Sequence, residues 1–413
     1  MKASKVVLWA MTALCAVRTW AEAEPPRFWY AEFPDAKVRV NSDEASVPPY
    51  ALEDPLVFAD GRRVETEAQW RERRAEILGI FAREMYGRRP PLPEALVTDL
   101  VDERVTCGGT VVQRQYEMTF RTDRSGPKIR WIVFLPKDAK GKVPVILLLN
   151  YHGNQSLVDD PSVPMMTAWH RNGQWATNNL AVPATRGLLQ RPSDSATTFP
   201  LSEFVRRGYA VMSACYCEVS PDPNRIGKED PKPMQDKLAY TGVFDLWPKR
   251  DPDGKSETTS LGAWSWALSR GLDLAERIPE IDAKRSVVTG YSRLGKAALL
   301  AAAYDERFAV CVPVQTGNGG APLAKRDFGE NPGTETRQFI PFGECSHKYS
   351  LQQDEAEKDH AVQREHKNEI SGAQRYAEGD RTRLPRFEPA GFHGQCKAFG
   401  PLERVHEHRE KPF

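Results

Sequence analysis

The run GYSRLGK at residues 290 to 296 constrains the fold of this chain more than any other segment. The β-branched stretch Arg285 to Thr289 leads into it, and the Ala- and Leu-rich stretch Leu294 to Ala303 follows. The first stretch predicts a strand and the second a helix. A serine between two glycines at a sharp strand-to-helix turn is a nucleophile elbow, so we expect Ser292 to be an exposed nucleophile. Because the GxSxG pattern also occurs by chance, a purely structural turn serine is the alternative.

Alternating elements surround this motif. Aliphatic runs typical of strands buried on both faces occur at 144–149, 209–214, 286–289 and 308–314, with helical stretches at 202–207, 261–278 and 294–304. Upstream, Glu67 to Tyr86 predicts an amphipathic helix, and Val111 to Phe120 and Ile129 to Leu135 predict antiparallel strands joined by a hairpin turn. The pattern predicts an α/β fold with a mostly parallel central sheet and flanking helices. Together with the nucleophile elbow, it leads us to expect an α/β-hydrolase fold.

The chain divides into three predicted parts. Residues 1–23 carry Lys2 and Lys5, a short apolar run and small residues near Ala23, which predicts a signal peptide and a secreted or periplasmic protein; a membrane anchor is the alternative. Residues 24–330 form the hydrolase domain. Residues 331–413 are an atypical polar tail that we interpret as frameshifted, misassembled, divergent or disordered, so that the last strands of the sheet are missing or corrupted. Missing strands would leave an aggregation-prone edge or prevent folding.

Charge and cysteine content narrow the function. The 57 basic and 56 acidic residues give no overall charge for binding nucleic acid or a membrane surface. The cysteines beyond residue 23 lack the CxxC spacing of a zinc site. We expect neither a metal nor an organic cofactor. Cys215, Cys217 and Cys311 lie in apolar runs and are interpreted as buried free thiols. We expect a monomer.

A nucleophilic serine needs oxyanion donors and a general base. The backbone amide of Arg293 and the loop at 150–154 occupy the places where α/β hydrolases put oxyanion donors, and His152 in that loop is predicted to orient substrate. Lys296 and Glu330 could hydrogen-bond sugar hydroxyls. The alternatives are an Arg293 at the surface, paired with some carboxylate, and a Lys296 and a Glu330 that are simply solvated.

For the general base, the chain order expected of α/β hydrolases is serine, acid, histidine. The histidines after Ser292 all lie in the polar tail, at 347, 360, 366, 393, 406 and 408. Each of them could be a solvated surface residue.

With these residues in view, the chain resembles the glucuronoyl esterases of carbohydrate esterase family 15 from about residue 47 to 330. The segments that carry the resemblance include LLLNYHGNQ at 147, RGYAVMSACY at 207, GYSRLGKAAL at 290 and GNGGAPLAKRDFGE at 317. The resemblance implies that Ser292 is the nucleophile, that Arg293 stabilises the oxyanion, and that Lys296 and Glu330 contact the uronate.

The chain also departs from the family. Some members have an acid at the end of the strand after the nucleophile helix, where this chain reads VPVQT at 312–316. The later acid and the catalytic histidine of the family are not identifiable after residue 331.

The resulting prediction is a serine esterase that cleaves 4-O-methyl-glucuronoyl esters linking glucuronoxylan to lignin, through an acyl-enzyme. The alternatives are another xylan-directed carboxylesterase, such as one removing acetyl groups, and a non-catalytic glucuronate-binding relic that has lost its acid and histidine.

Overall fold

The computed structural model describes residues 41, 43–166, 168–170, 174–176, 186–187, 189, 199–222, 241–247, 258–317, 319–323, 325–326 and 328–329. For 84, 168–170 and 174–176 it describes the backbone alone. The predicted signal peptide and the polar tail lie outside these residues, as does Glu330.

Nine strands and five α-helices make up the described part of the chain. The strands are β1 Val97–Thr106, β2 Val111–Thr119, β3 Lys128–Pro136, β4 Val143–Asn150, β5 Ala168–His170, β6 Gln174–Ala176, β7 Ala210–Cys215, β8 Ile281–Tyr291 and β9 Val310–Val314. The helices are α1 Glu67–Phe81, α2 Leu201–Arg206, α3 Tyr216–Val219, α4 Ser260–Arg277 and α5 Arg293–Tyr304. None of these helices combines the length and the hydropathy needed to cross a bilayer.

Seven of the strands form one sheet in the order β1-β2-β3-β7-β4-β8-β9, while β5 and β6 pair separately. The first three strands are an antiparallel meander, and β3 also pairs antiparallel with β7. The strands β7, β4, β8 and β9 are parallel to one another. The predicted antiparallel hairpin and the predicted parallel strands are both present, and they meet in one mixed sheet. Burial on both faces is confirmed for β4 and β7. It is wrong for the run at 308–314, because β9 is an edge strand of the described sheet on which Val312 and Val314 are 45% and 41% exposed.

Each face of the sheet carries its own hydrophobic core. Successive residues of a strand point to opposite faces, so Trp131, Leu147 and Met212 lie on the face covered by α4 and α5. Ile132 and Val211 lie on the opposite face, beneath α2. Burial on both sides explains why the central strands read as continuous aliphatic runs.

The long N-terminal helix forms nearly where the sequence predicts. Thr66 caps α1, and its hydroxyl and the Gln69 side chain exchange hydrogen bonds with each other's backbone amides. After Phe81 the predicted helix continues as a π-helical turn, Ala82–Tyr86, and it ends at Gly87 with φ at 76°. The carbonyl of Tyr86 accepts a hydrogen bond of 2.6 Å from the hydroxyl of Thr259, the N-cap of α4. This contact ties the N-terminal helix to the helix that covers the sheet.

Candidate active site

The sharpest feature of the backbone lies between β8 and α5. Ser292 has φ of 54° and ψ of −128°, a conformation that a residue with a Cβ adopts only when its surroundings enforce it. The Ser292 amide donates to the carbonyl of Val314 at 2.9 Å, and its own carbonyl accepts from the Lys296 amide at 3.1 Å. The structure thus has the strand, turn and helix predicted around Ser292.

Two glycines make room for this turn. A Cβ on Gly290 would lie 2.2 Å from the carbonyl oxygen of Leu294. A Cβ on Gly295 would lie 2.9 Å from the Gly290 oxygen and 3.0 Å from the Val314 oxygen. Backbone atoms cannot move aside as a flexible side chain can, so the close approach of β8 and α5 requires glycine at both positions.

Tyr151, directly after β4, braces the turn from the side. Its hydroxyl donates to the Tyr291 carbonyl at 2.7 Å and accepts from the Leu294 amide at 3.4 Å. The Ser292 side chain is also a hydrogen-bond neighbour of this hydroxyl. Burial raises the pKa of Tyr151 to about 12, so the hydroxyl stays protonated at neutral pH. Sequence reasoning missed Tyr151, although its place in the NYHGN loop was the available signal.

The loop after β4 is held in shape by a buried amide. The Asn150 side chain accepts from the Gly153 amide at 2.7 Å and donates to Asn154 Oδ1 and Ser213 Oγ, both at 3.0 Å. Asn154 in turn donates to the Arg130 carbonyl at 2.8 Å. These bonds anchor the loop to β7 and β3, so its backbone is preorganised next to the serine turn.

His152 lies on the same loop and is half-buried. Its ring centroid is 6.4 Å from that of Tyr151, in an edge-on arrangement. Its carbonyl accepts a 2.7 Å hydrogen bond from Gln155 Nε2. The structure therefore brings His152 beside the tyrosine that contacts Ser292; its predicted role in orienting substrate stays a prediction.

The side chain of Arg293 forms an ion pair with a buried acid. Arg293 Nη1 lies 2.6 Å from Asp222 Oδ2, and the Asp222 side chain is 0% exposed. The Tyr216 hydroxyl donates to the same carboxylate oxygen at 2.8 Å. The alternative interpretation is a surface arginine paired with some carboxylate. Arg293 does have a carboxylate partner, but its side chain is only 20% exposed. Asp222 and Tyr216 were not identified from the sequence, although both follow β7 at the edge of the sheet where Ser292 lies.

Lys296 is in the first turn of α5 and is 1% exposed, so the solvated alternative for this lysine is wrong. A buried ammonium needs hydrogen-bonding partners, since its transfer from water is costly.

Cys215 and Cys217 are buried free thiols as predicted, and Cys311 is a half-buried free thiol. Burial raises the pKa of Cys215 to about 12, which makes it a poor nucleophile.

The remaining predicted catalytic groups are not placed. All six histidines after Ser292 lie outside the described residues. The end of β9 adjoins Ser292, but the next residue there is Gln315, which is exposed and has φ of 44°. Within the described ranges, no group of His, Cys, Asp and Glu residues could hold a metal ion.

Comparison with known proteins gives the family. The sequence profile described as "Glucuronyl esterase, fungi" matches residues 225–339. Carbohydrate esterase MZ0003, from an unknown prokaryotic organism, is 34% identical over 323 residues, which cover 76% of this chain and 70% of that protein. A promiscuous CE15 esterase from a marine bacterial metagenome has a structure with a TM-score of 0.63 and 30% identity, over 78% of this chain and 76% of its own. The chain belongs to carbohydrate esterase family 15, the glucuronoyl esterases.

Further relatives agree with this assignment. The glucuronoyl esterase from Solibacter usitatus has a TM-score of 0.62 and 28% identity over 74% of each chain. A 4-O-methyl-glucuronoyl methylesterase from Schizophyllum commune is 24% identical over 276 residues, 65% of this chain and 51% of that protein. The chain thus spans about half the length of this fungal relative. Glucuronoyl esterases are carboxylic ester hydrolases, and the structural likeness confirms the α/β-hydrolase fold.

Proposed function

We propose that this chain hydrolyses esters of 4-O-methyl-glucuronate, such as those linking glucuronoxylan to lignin alcohols, through an ester formed on Ser292. The observation that carries the proposal is the strained backbone of Ser292 at the junction of β8 and α5 in a glucuronoyl esterase. Strain of this kind persists only where surrounding contacts enforce it, and it concentrates at active sites.

The chemistry follows from the geometry of the turn. The Ser292 oxygen attacks the ester carbonyl carbon, the carbonyl oxygen becomes an oxyanion, and collapse expels the alcohol; water then releases the uronic acid. The Arg293 amide at the N-terminus of α5 and the Arg293 guanidinium favour the negative charge. A general base must accept the serine proton, and the histidines after residue 331 are its candidates.

Substrate selection rests on groups around the serine. In this proposal Lys296 and Glu330 hold the uronate hydroxyls, and His152 helps to orient the sugar. The protein would act outside the cytoplasm if residues 1–23 direct export, with residues 24–330 as its catalytic domain.

The test is hydrolysis of benzyl glucuronate by the purified chain, with Ser292→Ala alongside and circular dichroism to show that both fold. We expect the substitution to lower kcat by at least about a thousandfold, because only oxyanion and binding effects remain. Turnover by the folded chain that is no faster than that of Ser292→Ala would contradict an esterase. If that chain also binds glucuronate, the result would support a non-catalytic glucuronate-binding protein.

Lys296→Ala tests the substrate class. A lost charged hydrogen bond corresponds to roughly ten- to a hundredfold in kcat/KM on benzyl glucuronate. Hydrolysis of 4-nitrophenyl acetate should change by less than about threefold, since acetate offers no hydroxyls to hold. Lys284→Ala, at an exposed position of β8, is the control. Equal losses on both substrates would show that Lys296 does not contact the uronate.

A further inference from the structure

We propose that Asp222 and Tyr216 form a fixed anchor that positions the guanidinium of Arg293 beside Ser292. This inference rests on the proposed function, because it assigns the anchor a part in the same reaction. The carboxylate of Asp222 accepts from Arg293 Nη1 at 2.6 Å and from the Tyr216 hydroxyl at 2.8 Å. Both donors converge on one oxygen, Oδ2.

The anchor itself is rigid. The Tyr216 side chain is fully buried and packs against the ring of Trp264 at 5.2 Å and that of Tyr151 at 5.0 Å between centroids. The Trp264 indole reaches the Ser220 carbonyl at 3.4 Å, and the Ser220 amide donates to the Tyr216 carbonyl at 3.2 Å. The segment that carries Asp222 is therefore fastened to helix α4 and cannot follow the arginine if it moves.

Because the Asp222 carboxylate is buried, it needs charged and hydrogen-bonding partners. Removing an ionised carboxylate from water is unfavourable unless charged and hydrogen-bonding groups replace the water. At Asp222 the replacement comes from Arg293, on the elbow, and Tyr216, on the segment after β7. A guanidinium that moved away would leave a buried charge poorly compensated, so the pairing restrains Arg293 strongly.

Restraint of Arg293 matters because, in the proposed reaction, its guanidinium stabilises the oxyanion. A long, flexible arginine side chain loses rotamer entropy when it is fixed. If the protein fixes it before substrate binds, the reaction does not carry that cost, and donors aimed in advance stabilise a developing oxyanion better than mobile ones. The charge-assisted hydrogen bond at Nη1 fixes one end of the planar guanidinium. Asp222 is thus a positioning residue, which acts on the substrate only through Arg293.

The ring contact between Tyr216 and Tyr151 links this anchor to the serine turn, because Tyr151 hydrogen-bonds to that turn. Tyr151 touches Ser292 on one side and the ring of Tyr216 on the other. Nucleophile and oxyanion donor are in this way oriented by one connected set of side chains from three loops.

The experiment is a double-mutant cycle between Asp222 and Arg293 in the full chain, with benzyl glucuronate as substrate. We expect Asp222→Ala to lower kcat by about ten- to a hundredfold and KM to change by less than about threefold. Asp222→Asn keeps an acceptor and should lose less. Arg293→Ala combined with Asp222→Ala should be no slower than Arg293→Ala alone, because Asp222 acts only through the arginine.

Control variants separate positioning from general damage. Glu218→Gln is a matched control, since Glu218 is another largely buried acid after β7, paired with Arg130 at 3.3 Å instead of with Arg293. It should keep the kcat of the unmodified protein. If Asp222→Ala does not fold, Tyr216→Phe removes a single hydroxyl from the anchor and should lower kcat by about three- to tenfold through a less restrained Arg293.

A second readout does not need turnover. Phenylglyoxal modifies arginines, and mass spectrometry reports its rate at Arg293. Loss of the carboxylate in Asp222→Ala or Asp222→Asn should raise that rate at least about threefold, in line with a broken charge pair, whereas Glu218→Gln should leave it unchanged. Absence of Ser292-dependent hydrolysis by the unmodified protein would sink the proposed function, and the labelling alone would then decide whether Asp222 fixes Arg293.

Three results would overturn the inference. One is a folded Asp222 variant with unchanged kcat and unchanged labelling. Another is a further kcat loss of tenfold or more when Asp222→Ala is added to Arg293→Ala, which would mean that Asp222 acts on another group, such as a catalytic histidine. The third is a loss confined to KM, which would place Asp222 in ground-state binding instead of in the orientation of the oxyanion donor.

Discussion

At the scale of single residues, the site depends on how its surroundings enforce one strained serine. A positive φ at a residue with a Cβ costs on the order of 1–3 kcal/mol. The hydrogen bond from Ser292 to Val314 and the glycines at 290 and 295 accommodate this conformation on the strand and helix sides. Tyr151 contributes the third restraint, from a loop far away along the chain.

Removing the Tyr151 hydroxyl should therefore loosen the turn. In Tyr151→Phe the Tyr291 carbonyl and the Leu294 amide each lose a partner, and we expect the free energy of unfolding to fall by about 1–3 kcal/mol. We also expect kcat to fall, because Ser292 is less well oriented. Chemical denaturation and hydrolysis of benzyl glucuronate measure the two effects.

Tyr50→Phe, at a tyrosine that is 40% exposed, is the control and should change stability by less than about 0.5 kcal/mol. If Tyr151→Phe matched this control in both stability and kcat, the hydrogen bonds of Tyr151 would have no part in holding the elbow.

At the scale of elements, the close contact of α4 with the sheet depends on one glycine. A Cβ on Gly271 would lie 2.4 Å from the ring of Trp131, whose side chain is fully buried on β3. Both groups are in the core, so neither can move without displacing the helix or the indole. Gly271 is therefore a packing residue, although glycine lowers helix propensity.

Gly271→Ala should destabilise the protein by about 1–3 kcal/mol, because the added methyl group overpacks this contact. Gly79→Ala is the matched control. Gly79 is also inside a helix, α1, and a Cβ there would meet nothing within 4 Å. The control should leave stability unchanged or raise it by up to about 1 kcal/mol. Thermal unfolding of the two variants measures the contrast, and equal midpoints would contradict the packing argument.

At the scale of the whole molecule, stability should depend on pH through a largely buried acid of α3 that contacts strand β3. Glu218 accepts from the Arg130 amide at 2.8 Å and lies 3.3 Å from its guanidinium. Burial nevertheless raises the pKa of Glu218 from 4.5 to about 7 in the folded protein. The folded state therefore retains a proton that the unfolded state has already released between these two values.

Because the folded state binds the proton more tightly, the contribution of Glu218 is fully present below pH 4.5 and is lost as pH rises through about 7. The upper limit of this loss is roughly 3 kcal/mol. Glu218→Gln should remove it, so the variant should be more stable than the unmodified protein at pH 8. Denaturation curves at pH 5, 6, 7 and 8 test this, and parallel pH dependences of the two proteins would contradict it.

Local sequence was sufficient for the elements around the site. Each of these elements is indicated by its own few residues. They are the β-branched run before Gly290, the Ala- and Leu-rich stretch after it, and the aliphatic runs of β4 and β7. Periodicity and propensity are short-range properties, so the strand, turn and helix around Ser292 could be predicted, and with them the class of fold. Resemblance to a family then supplied the substrate class.

What only the tertiary structure decided is which distant groups meet. Tyr151 lies 140 positions before the carbonyl that it contacts, and Asp222 lies 71 positions before Arg293. The burial of Lys296 and the insertion of β7 between β3 and β4 are of the same kind. No periodic pattern encodes such contacts, because they arise from packing α4 and α5 on the sheet and from bringing the carboxyl ends of its parallel strands to one edge.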